Sequence, residues 1–257
     1  MLKIRRYFVI SVLFGFFLIN GSAPATAQVE DLVSLLDKIS KRGNSYPENS
    51  NWKARIITKT TEMDKQWRPK KTTIITSIVK ATDNVLSADI VNAVETEDAI
   101  TKDITKEIAE QSKKQIESSN RERAERKGQE GTEDSSDARF PFNENKRAKF
   151  AFHIVDEDSI NERPVYIIEA VPKEKDEQLF EGRYYIDQKT YDVVKARIRP
   201  SKNPKFVKDL DMNIDFEVLP EGNFIERRSR TRVDGGMILK RVRMLVEVEY
   251  FDVEILD

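Results

Sequence analysis

The sequence predicts an α+β protein whose main element is one long antiparallel β-sheet that curls towards a barrel. Two stretches, residues 51–94 and 146–257, alternate apolar and polar side chains with a period of two, which is typical of strands with one face on a core. The strand segments do not alternate with helical ones, so a parallel sheet is not expected. Several segments exceed the usual five or six residues, and long consecutive antiparallel strands twist and curl.

The N-terminus has the pattern of a secretory signal peptide. A basic segment, Lys3 to Arg6, precedes an apolar run from Tyr7 to Ile19, and Ala25-Thr26-Ala27 is a small-x-small cleavage site. A retained membrane anchor is the alternative, but the apolar run is shorter than the roughly 20 residues of a spanning helix. We therefore predict a signal peptide over residues 1–27, cleaved after about Ala27, and a secreted mature protein.

Residues 28–257 are expected to form a single domain. Without residues 1–27 the chain keeps 41 of its 44 basic residues and all 45 acidic ones, a formal net charge of −4. This balance is not that of a nucleic-acid-binding protein. The sequence contains no cysteine, so the fold is held by its core rather than by disulfides.

The first elements of this domain are a helix and three strands. Residues 29–40 repeat apolar side chains at helical spacing, and Gly43 and Pro47 end the pattern. A helix with one apolar face cannot bury it alone, so we expect it to pack on a sheet. The predicted strands are 51–60, 71–81 and 84–94.

Residues 95–137 form a highly charged insertion. Ile100, Ile104 and Ile108 recur at four-residue spacing among lysines and glutamates, which indicates a helix with a narrow apolar stripe. Apolar residues are scarce after Ile116. One interpretation is a solvated helix that runs into a flexible loop. The other is a mobile lid or a helix that docks a partner.

Seven further strands complete the predicted sheet. They are 147–155, 163–173, 182–187, 190–198, 210–219, 223–233 and 237–255. Acidic or glycine-containing segments predict the turns between them. These are Asp156 to Asp158, Asp187 to Thr190, Pro220 to Asn223, and Asp234-Gly235-Gly236.

Catalytic and metal-binding signatures are missing from the sequence. His153 is the single histidine, and it lies in an alternating strand without the Ser or Cys partner of a nucleophilic site. The sequence contains no glycine-rich phosphate loop and no nucleophile elbow. We therefore predict a protein that is not an enzyme and that carries neither a cofactor nor a metal ion.

A stripe of arginines is the most unusual feature of the last hairpin. Arg228, Arg230 and Arg232 share one face of a strand. With Gly235-Gly236 as a two-residue loop, Arg230 lies opposite Arg241 and Arg228 opposite Arg243. Like charges directly opposite each other destabilise a strand pair. Either acidic side chains of a neighbouring strand separate them, or an anion or acidic partner binds there.

The same register directs Arg227 together with Met244 towards the apolar face. A cation in an apolar concavity is costly unless it is paired. Arg227 is therefore the predicted polar anchor for a ligand head group.

The second half of the chain resembles the LolA-like outer-membrane lipoprotein-sorting superfamily. The resemblance covers roughly residues 147–257, and the order of signal peptide, amphipathic helix and a strand led by Trp52 also fits. The charged stretch 95–137 has no counterpart in it. The resembling motifs are Tyr184-Tyr185-Ile186-Asp187 with Thr190-Tyr191, the Pro-Ser-Lys-x-Pro segment at 200–204, and the closing Glu-Tyr-Phe-Asp run.

The resemblance implies an incomplete barrel with helices over its concave apolar face. It also implies a periplasmic carrier of lipid or lipoprotein acyl chains, with a membrane protein as donor or acceptor of the cargo. We expect a monomer without a nucleic-acid partner. The apolar residues that alternation directs into the concavity are Trp52, Ile56, Tyr166, Ile168, Met212, Ile214, Phe216, Met244, Val246 and Val248.

The alternative is a non-enzymatic periplasmic interaction protein of the same fold that acts through its basic strand face. A carrier requires a continuous apolar cavity of at least about 300 Å³. An interaction protein would instead fill the same space with its own side chains.

Overall fold

Eleven strands form one antiparallel sheet in the computed structural model, which describes residues 31–42, 51–82, 85–127, 139–219, 224–237 and 240–256. The predicted signal peptide and the predicted turn at 220–223 lie outside these residues. The elements are α1 (Leu32–Arg42), β1 (Asn51–Met63), β2 (Pro69–Thr82), β3 (Val85–Glu97), β4 (Ile100–Asp103), α2 (Thr105–Lys127), α3 (Glu144–Arg147), β5 (Phe150–Ile160), β6 (Arg163–Pro172), β7 (Phe180–Asp187), β8 (Val193–Pro200), β9 (Val207–Val218), β10 (Phe224–Met237) and β11 (Lys240–Leu256).

The sheet consists of two meanders joined by a single long-range pairing. Its strand order is β4-β3-β2-β1-β11-β10-β9-β8-β7-β6-β5. Every neighbouring pair is consecutive in the chain except β1 and β11. The sheet does not close, because β4 and β5 remain at its two edges. This open, curled antiparallel sheet with accompanying helices confirms the predicted α+β class.

The hairpin between β10 and β11 reverses further along the chain than the sequence predicted. Pairing continues to Met237 and Lys240, so Gly235 and Gly236 belong to β10. A Cβ atom on Gly235 would lie 2.8 Å from the carbonyl oxygen of Phe206, closer than real Cβ atoms approach other atoms. The glycine therefore permits close packing of a neighbouring loop and does not make the turn.

The acidic segment 156–158 lies within β5, so the predicted turn at these residues is wrong. Asp156 and Asp158 each accept a hydrogen bond from the backbone N–H of the next residue, at 2.9 and 2.7 Å. Carboxylates that bind backbone groups of an edge strand, together with their charge, reduce its capacity to pair with another strand. The chain reverses instead at Asn161 and Glu162, whose φ angles are 49° and 66°.

The charged insertion contains α2, which begins later than the isoleucine spacing predicted. Ile100 is exposed in β4, and the buried Ile104 precedes the helix. Asn120 of α2 accepts a hydrogen bond from the Leu86 N–H at 3.0 Å and donates one to the Leu86 carbonyl at 2.8 Å. The helix thus satisfies backbone groups of β3 beyond the end of β4. Residues 128–137 of the insertion lie outside the described part of the chain.

The main core lies between α1 and one face of the sheet. Leu35, Leu36 and Ile39 are the buried side chains of α1, as its helical spacing predicts. A short segment before α3, residues 139–143, runs over the same face, and we call it the strap. Phe140 and Phe142 of the strap are both 2% exposed and join the same cluster.

The strap is held by aromatic contacts with three strands. The Phe140 ring lies 5.2 Å from that of Phe216 in a tilted arrangement. The Phe142 ring lies 5.1 Å from that of Tyr184, edge to face, and 5.7 Å from that of Phe152. Such ring pairs add about 0.5–1.5 kcal/mol each to the burial of their area.

Replacement of Leu35 by Ala should lower the free energy of unfolding by about 3 kcal/mol, because it leaves a cavity beneath α1. The control is Val33→Ala, at a residue of the same helix that is 60% exposed, which should change it by less than about 0.5 kcal/mol. Urea denaturation of both variants measures the difference. Equal losses would mean that α1 does not pack on the sheet through this face.

Candidate functional site

The candidate site is the face of the sheet that carries α1 and the strap, which we call the inner face. Strand register places all ten predicted cavity residues on it, because residues directly opposite in neighbouring strands share a face. One chain of such pairs runs Ile168, Tyr184, Ala196, Ile214, Ser229, Val248 and Thr58.

The inner face has a covered half on β5 to β9. Ile168, Ile214 and Phe216 are buried there in the cluster with α1 and the strap. Tyr166 and Met212 are partly buried and pack against the same cluster. This half is filled by the protein's own side chains, as an ordinary core would be.

The other five predicted residues lie on the open half of the inner face, formed by β10, β11 and β1 to β3. They are half-buried and are not members of the core cluster: Trp52, Ile56, Met244, Val246 and Val248. The sequence therefore predicted the face correctly but could not distinguish its two halves. Whether any of these residues binds a ligand is still a prediction.

A buried ion pair lies where the two halves meet. Arg139 of the strap donates a hydrogen bond to Glu226 of β10 at 2.9 Å, and the Glu226 side chain is only 9% exposed. Tyr184 donates its hydroxyl to the Arg139 carbonyl at 2.6 Å. Burial, followed by the negative charge of Glu226, raises the pKa of Tyr250 to about 12. This polar group was missed by the sequence analysis, because Arg139 stands in a charged stretch without periodicity.

Arg227 does not point to the inner face with Met244, so that prediction is wrong. Met244 pairs with Val233, and β10 has an irregularity between Glu226 and Arg228 that changes the alternation. Arg227 is exposed and donates to the Tyr250 carbonyl oxygen.

The remaining contacts of Arg227 lie near the surface. Its guanidinium is 3.5 Å from the Glu217 carboxylate and 5.2 Å from the centre of the Phe251 ring. The bulge thus assigns the buried position to the neighbouring glutamate. Glu226 rather than Arg227 is the charged residue of β10 at the inner face.

The predicted opposition of arginines in the last hairpin is also wrong. Arg228 lies opposite Glu249, with 2.9 Å between their charged groups, and Arg230 lies opposite Glu247, at 3.7 Å. These pairs are on the face opposite the inner face. They border a groove of about 240 Å³ that also contains Asn213 and Asp215. Of the two predicted alternatives, acidic side chains or a bound anionic partner, the structure therefore shows acidic side chains for Arg228 and Arg230.

Arg241 and Arg243 converge on one carboxylate. Arg241 donates to both oxygens of Asp234, at 2.7 and 2.5 Å, and Arg243 donates to one of them at 3.2 Å. The hydrogen bonds from Arg241 lower the pKa of Asp234 to about 2, against the opposing effect of burial. The fifth arginine, Arg232, stacks on the Trp67 ring with 3.9 Å between guanidinium carbon and ring centre.

The described residues contain no group of three His, Asp or Glu side chains placed to hold a metal ion. None of the described helices has both the length and the apolar character needed to cross a bilayer.

Comparisons with known proteins find similarity at the level of solved structures only. No family model and no curated protein matches the chain. A LolA superfamily protein of Nitrosomonas europaea is similar over 88% of this chain and 93% of its own, with a TM-score of 0.36 and 10% identity.

Two further solved structures are similar to a comparable degree. The similarity to an outer-membrane lipoprotein-sorting domain of Vibrio parahaemolyticus extends over 86% of this chain and 91% of that one, with a TM-score of 0.36 and 10% identity. The similarity to a DUF1329 family protein of Desulfovibrio piger extends over 86% of this chain and 90% of that one, with a TM-score of 0.36 and 9% identity.

The Asp234 carboxylate should make stability depend on pH in the acid range. A carboxylate whose pKa is lowered on folding stabilises the fold above its ordinary pKa, near 3.8, and this contribution is lost as the pH falls towards about 2. The difference in melting temperature between the wild type and Asp234→Asn should therefore shrink between pH 5 and pH 2. Asp211→Asn, at an exposed residue of β9, is the charge-matched control. A difference that stays constant with pH would contradict the ion pairs.

The Arg139–Glu226 pair should show strong energetic coupling. Glu226→Gln or Arg139→Gln alone should cost about 2 kcal/mol, because each leaves a partly buried charge without its partner. The double variant should cost clearly less than the sum of the two. The same cycle at Arg228 and Glu249, whose side chains are 60% and 39% exposed, should give a coupling below about 0.5 kcal/mol. Equal couplings in the two cycles would argue against a special role of the buried pair.

Proposed function

We propose that the protein is a periplasmic carrier that holds an acyl chain of a lipid or lipoprotein on the open half of its inner face. The observation that supports this function best is an apolar surface that continues from the covered core onto half-exposed strands. It is supported independently by the sequence resemblance to the lipoprotein-sorting superfamily.

The open half presents apolar side chains on consecutive strands. Val246 and Val248 of β11 lie on the same face as Ile56 of β1, and Ile75 and Val79 of β2 continue it. All five are half-buried. An acyl chain placed along these strands would remove further apolar surface from water.

The magnitude of this effect is sufficient for stable binding. Each buried methylene group contributes about 0.8 kcal/mol, so ten of them contribute roughly 8 kcal/mol before the entropic cost of ordering the chain. Association costs at least about 4 kcal/mol, so ten methylenes give a net value of at most about 4 kcal/mol, and a dissociation constant near 1 μM requires the burial of about 15 methylenes. No specific polar contact with the chain is required for such an affinity.

The polar end of the cargo is best accommodated at the Arg139–Glu226 pair. It lies at the boundary where the apolar surface meets the strap, next to the Tyr250 ring. A head group with both a hydrogen-bond donor and an acceptor can exchange partners with such a pair. This site replaces Arg227 as the proposed polar anchor.

The alternative, an interaction protein that acts through the arginine face, has less support. Arg228 and Arg230 are neutralised by Glu249 and Glu247. A face of alternating paired charges has little net attraction for an anion.

Native mass spectrometry of the protein purified from its own periplasm, followed by lipid extraction, tests the proposal. A carrier should release an acylated molecule on denaturation. A clean apo mass, combined with no uptake of added fatty acid or lipopeptide, would overturn the carrier function.

Val248→Gln should reduce retention of a fluorescent fatty acid at least tenfold, because it places an amide on the open half. Leu245→Gln is the control: it makes a similar change on the opposite face of the same strand, at a half-buried position opposite Arg232. Both variants should keep the wild-type melting temperature within a few degrees. Phe216→Glu is not suitable, since a charge beneath the strap is expected to unfold the protein. Equal retention by the two glutamine variants would exclude the open half as the binding surface.

A further inference from the structure

We propose that one end of the sheet docks on an anionic lipid membrane. Three chain segments form this end, which we call the basic hairpin end: residues 64–71, residues 201–208, and the described residues 232–237 and 240–243 of the last hairpin. Each segment has a net charge of +3, whereas the whole chain has a net charge of −1. The segments together have a net charge of +9, of which the charges of Lys71 and Lys202 are paired with Glu95 and Glu177 outside them. This inference does not depend on lipid binding at the inner face.

The three segments are neighbours in the fold. Arg243 donates a hydrogen bond to the backbone carbonyl of Asp64 at 3.2 Å. This bond joins the last hairpin to segment 64–71. The N–H of Gly236 donates to the carbonyl of Phe206 at 2.8 Å and joins the third segment. The ring of Trp67 lies beneath Arg232, at 3.9 Å. One connected surface thus contains all three turns.

Several cations of this surface have no local counter-charge. Among the residues that the structure describes, no carboxylate lies within 4.0 Å of Lys65, Lys70, Lys205 or Lys208, and all four lysines are exposed. By contrast, Arg228, which lies elsewhere on the sheet, is paired with Glu249. Unpaired lysines at turns extend the positive field into solvent, where it attracts an anionic surface.

The acidic residues of the basic hairpin end are engaged within it. Asp64 pairs with Arg68 at 2.7 Å, and Asp234 is held by Arg241 and Arg243. Both carboxylates are thereby neutralised by arginines of the same surface. Asp209 and Asp211 follow on β9, where they limit the patch on that side.

An exposed aromatic side chain stands among these lysines. Phe206 is 56% exposed and adopts a φ of 70°, a conformation that is uncommon outside glycine and asparagine. The ammonium group of Lys205 lies 5.1 Å from the centre of its ring. The loop therefore presents an apolar ring next to a cation. This combination suits the boundary between lipid head groups and acyl chains better than it suits an acidic protein surface, which offers no apolar layer for the ring.

Vesicle co-sedimentation tests the proposal with one patch variant and one matched control. The patch variant replaces Lys65, Lys70 and Lys205 by Gln. The control replaces Lys106, Lys113 and Lys114, exposed lysines of α2, by Gln and changes the net charge equally. Because all proteins share the same N-terminus, any contribution of residues 1–27 to membrane binding is common to them. Circular dichroism melting shows whether each variant is folded.

The wild type should bind vesicles of equal phosphatidylglycerol and phosphatidylcholine, and should bind pure phosphatidylcholine weakly. Each lysine near an anionic surface contributes about a fivefold increase in partitioning, so the patch variant should bind roughly 100-fold more weakly. The α2 control should stay within a few-fold of the wild type. Raising the salt from 50 to 500 mM should weaken wild-type binding strongly.

Phe206→Asn tests the aromatic contribution, since asparagine tolerates the same backbone conformation. It should weaken vesicle binding about tenfold without removing a charge.

Three results would overturn the proposal. One is an equal loss for the patch variant and the α2 control, which would indicate a general charge effect. Another is equal binding of the wild type to anionic and neutral vesicles. The third is no vesicle binding together with patch-dependent binding of polyglutamate, which would assign the surface to an acidic protein. None of these results bears on retention of fatty acid at the inner face, so the two proposals fail separately.

Discussion

The pairing of β1 with β11 is the constraint on which the rest of the structure depends. It joins the first long strand of the domain to the last, and it is the single pairing in the sheet that is not consecutive. Without it the chain would form two separate meanders. Loop closure over some 200 residues opposes such a contact, so the long register of these two strands must compensate that entropy.

This pairing also explains the strap. Because β1 lies against β11, β4 and β5 are displaced to opposite edges of an 11-stranded sheet, although they are neighbours in the chain. With strands about 4.8 Å apart, the edges are roughly 48 Å from each other along the sheet. The strap, residues 139–143 of the segment between these two edges, lies over the inner face. Its aromatic residues Phe140 and Phe142 then supply core that the sheet and α1 alone do not.

The two faces of the sheet contribute in different ways to the stability of the fold and to the register of its strands. The inner face is apolar, and its burial supplies most of the driving force. The opposite face has ladders of ion pairs, such as Lys59 and Arg230 on either side of Glu247. Exposed pairs of this kind contribute about 0–1 kcal/mol each. Their larger effect is on register, because a one-residue slip would place Arg230 opposite Val246 or Val248 instead of Glu247 and would turn its charge to the apolar face. The high charged content of the chain is therefore compatible with a well-defined sheet.

Period-two alternation was sufficient to predict the strands and the inner face, because side-chain direction in a strand is a local property. It was not sufficient for register in the last hairpin. A single irregularity near Glu226 reversed the expected orientation of Arg227, and the glycines that resemble a turn are required by the neighbouring Phe206 loop. The strap was not predicted either, since two phenylalanines in a charged segment have no periodicity. These features depend on contacts between distant parts of the chain.

The open half and the basic hairpin end involve the same strands. The electrostatic field of the basic hairpin end, however, reaches only a small part of the open half. β1, β2, β10 and β11 border the open half, and their turns form most of the basic hairpin end. The field of the lysines decays over about 8–10 Å in physiological salt. The 17 residues of β11 extend about 56 Å along the strand. Most of the open half therefore lies beyond the reach of the charges, and docking through the turns would leave it accessible. A molecule bound to a membrane by this end could exchange an acyl chain along the strands without releasing the surface.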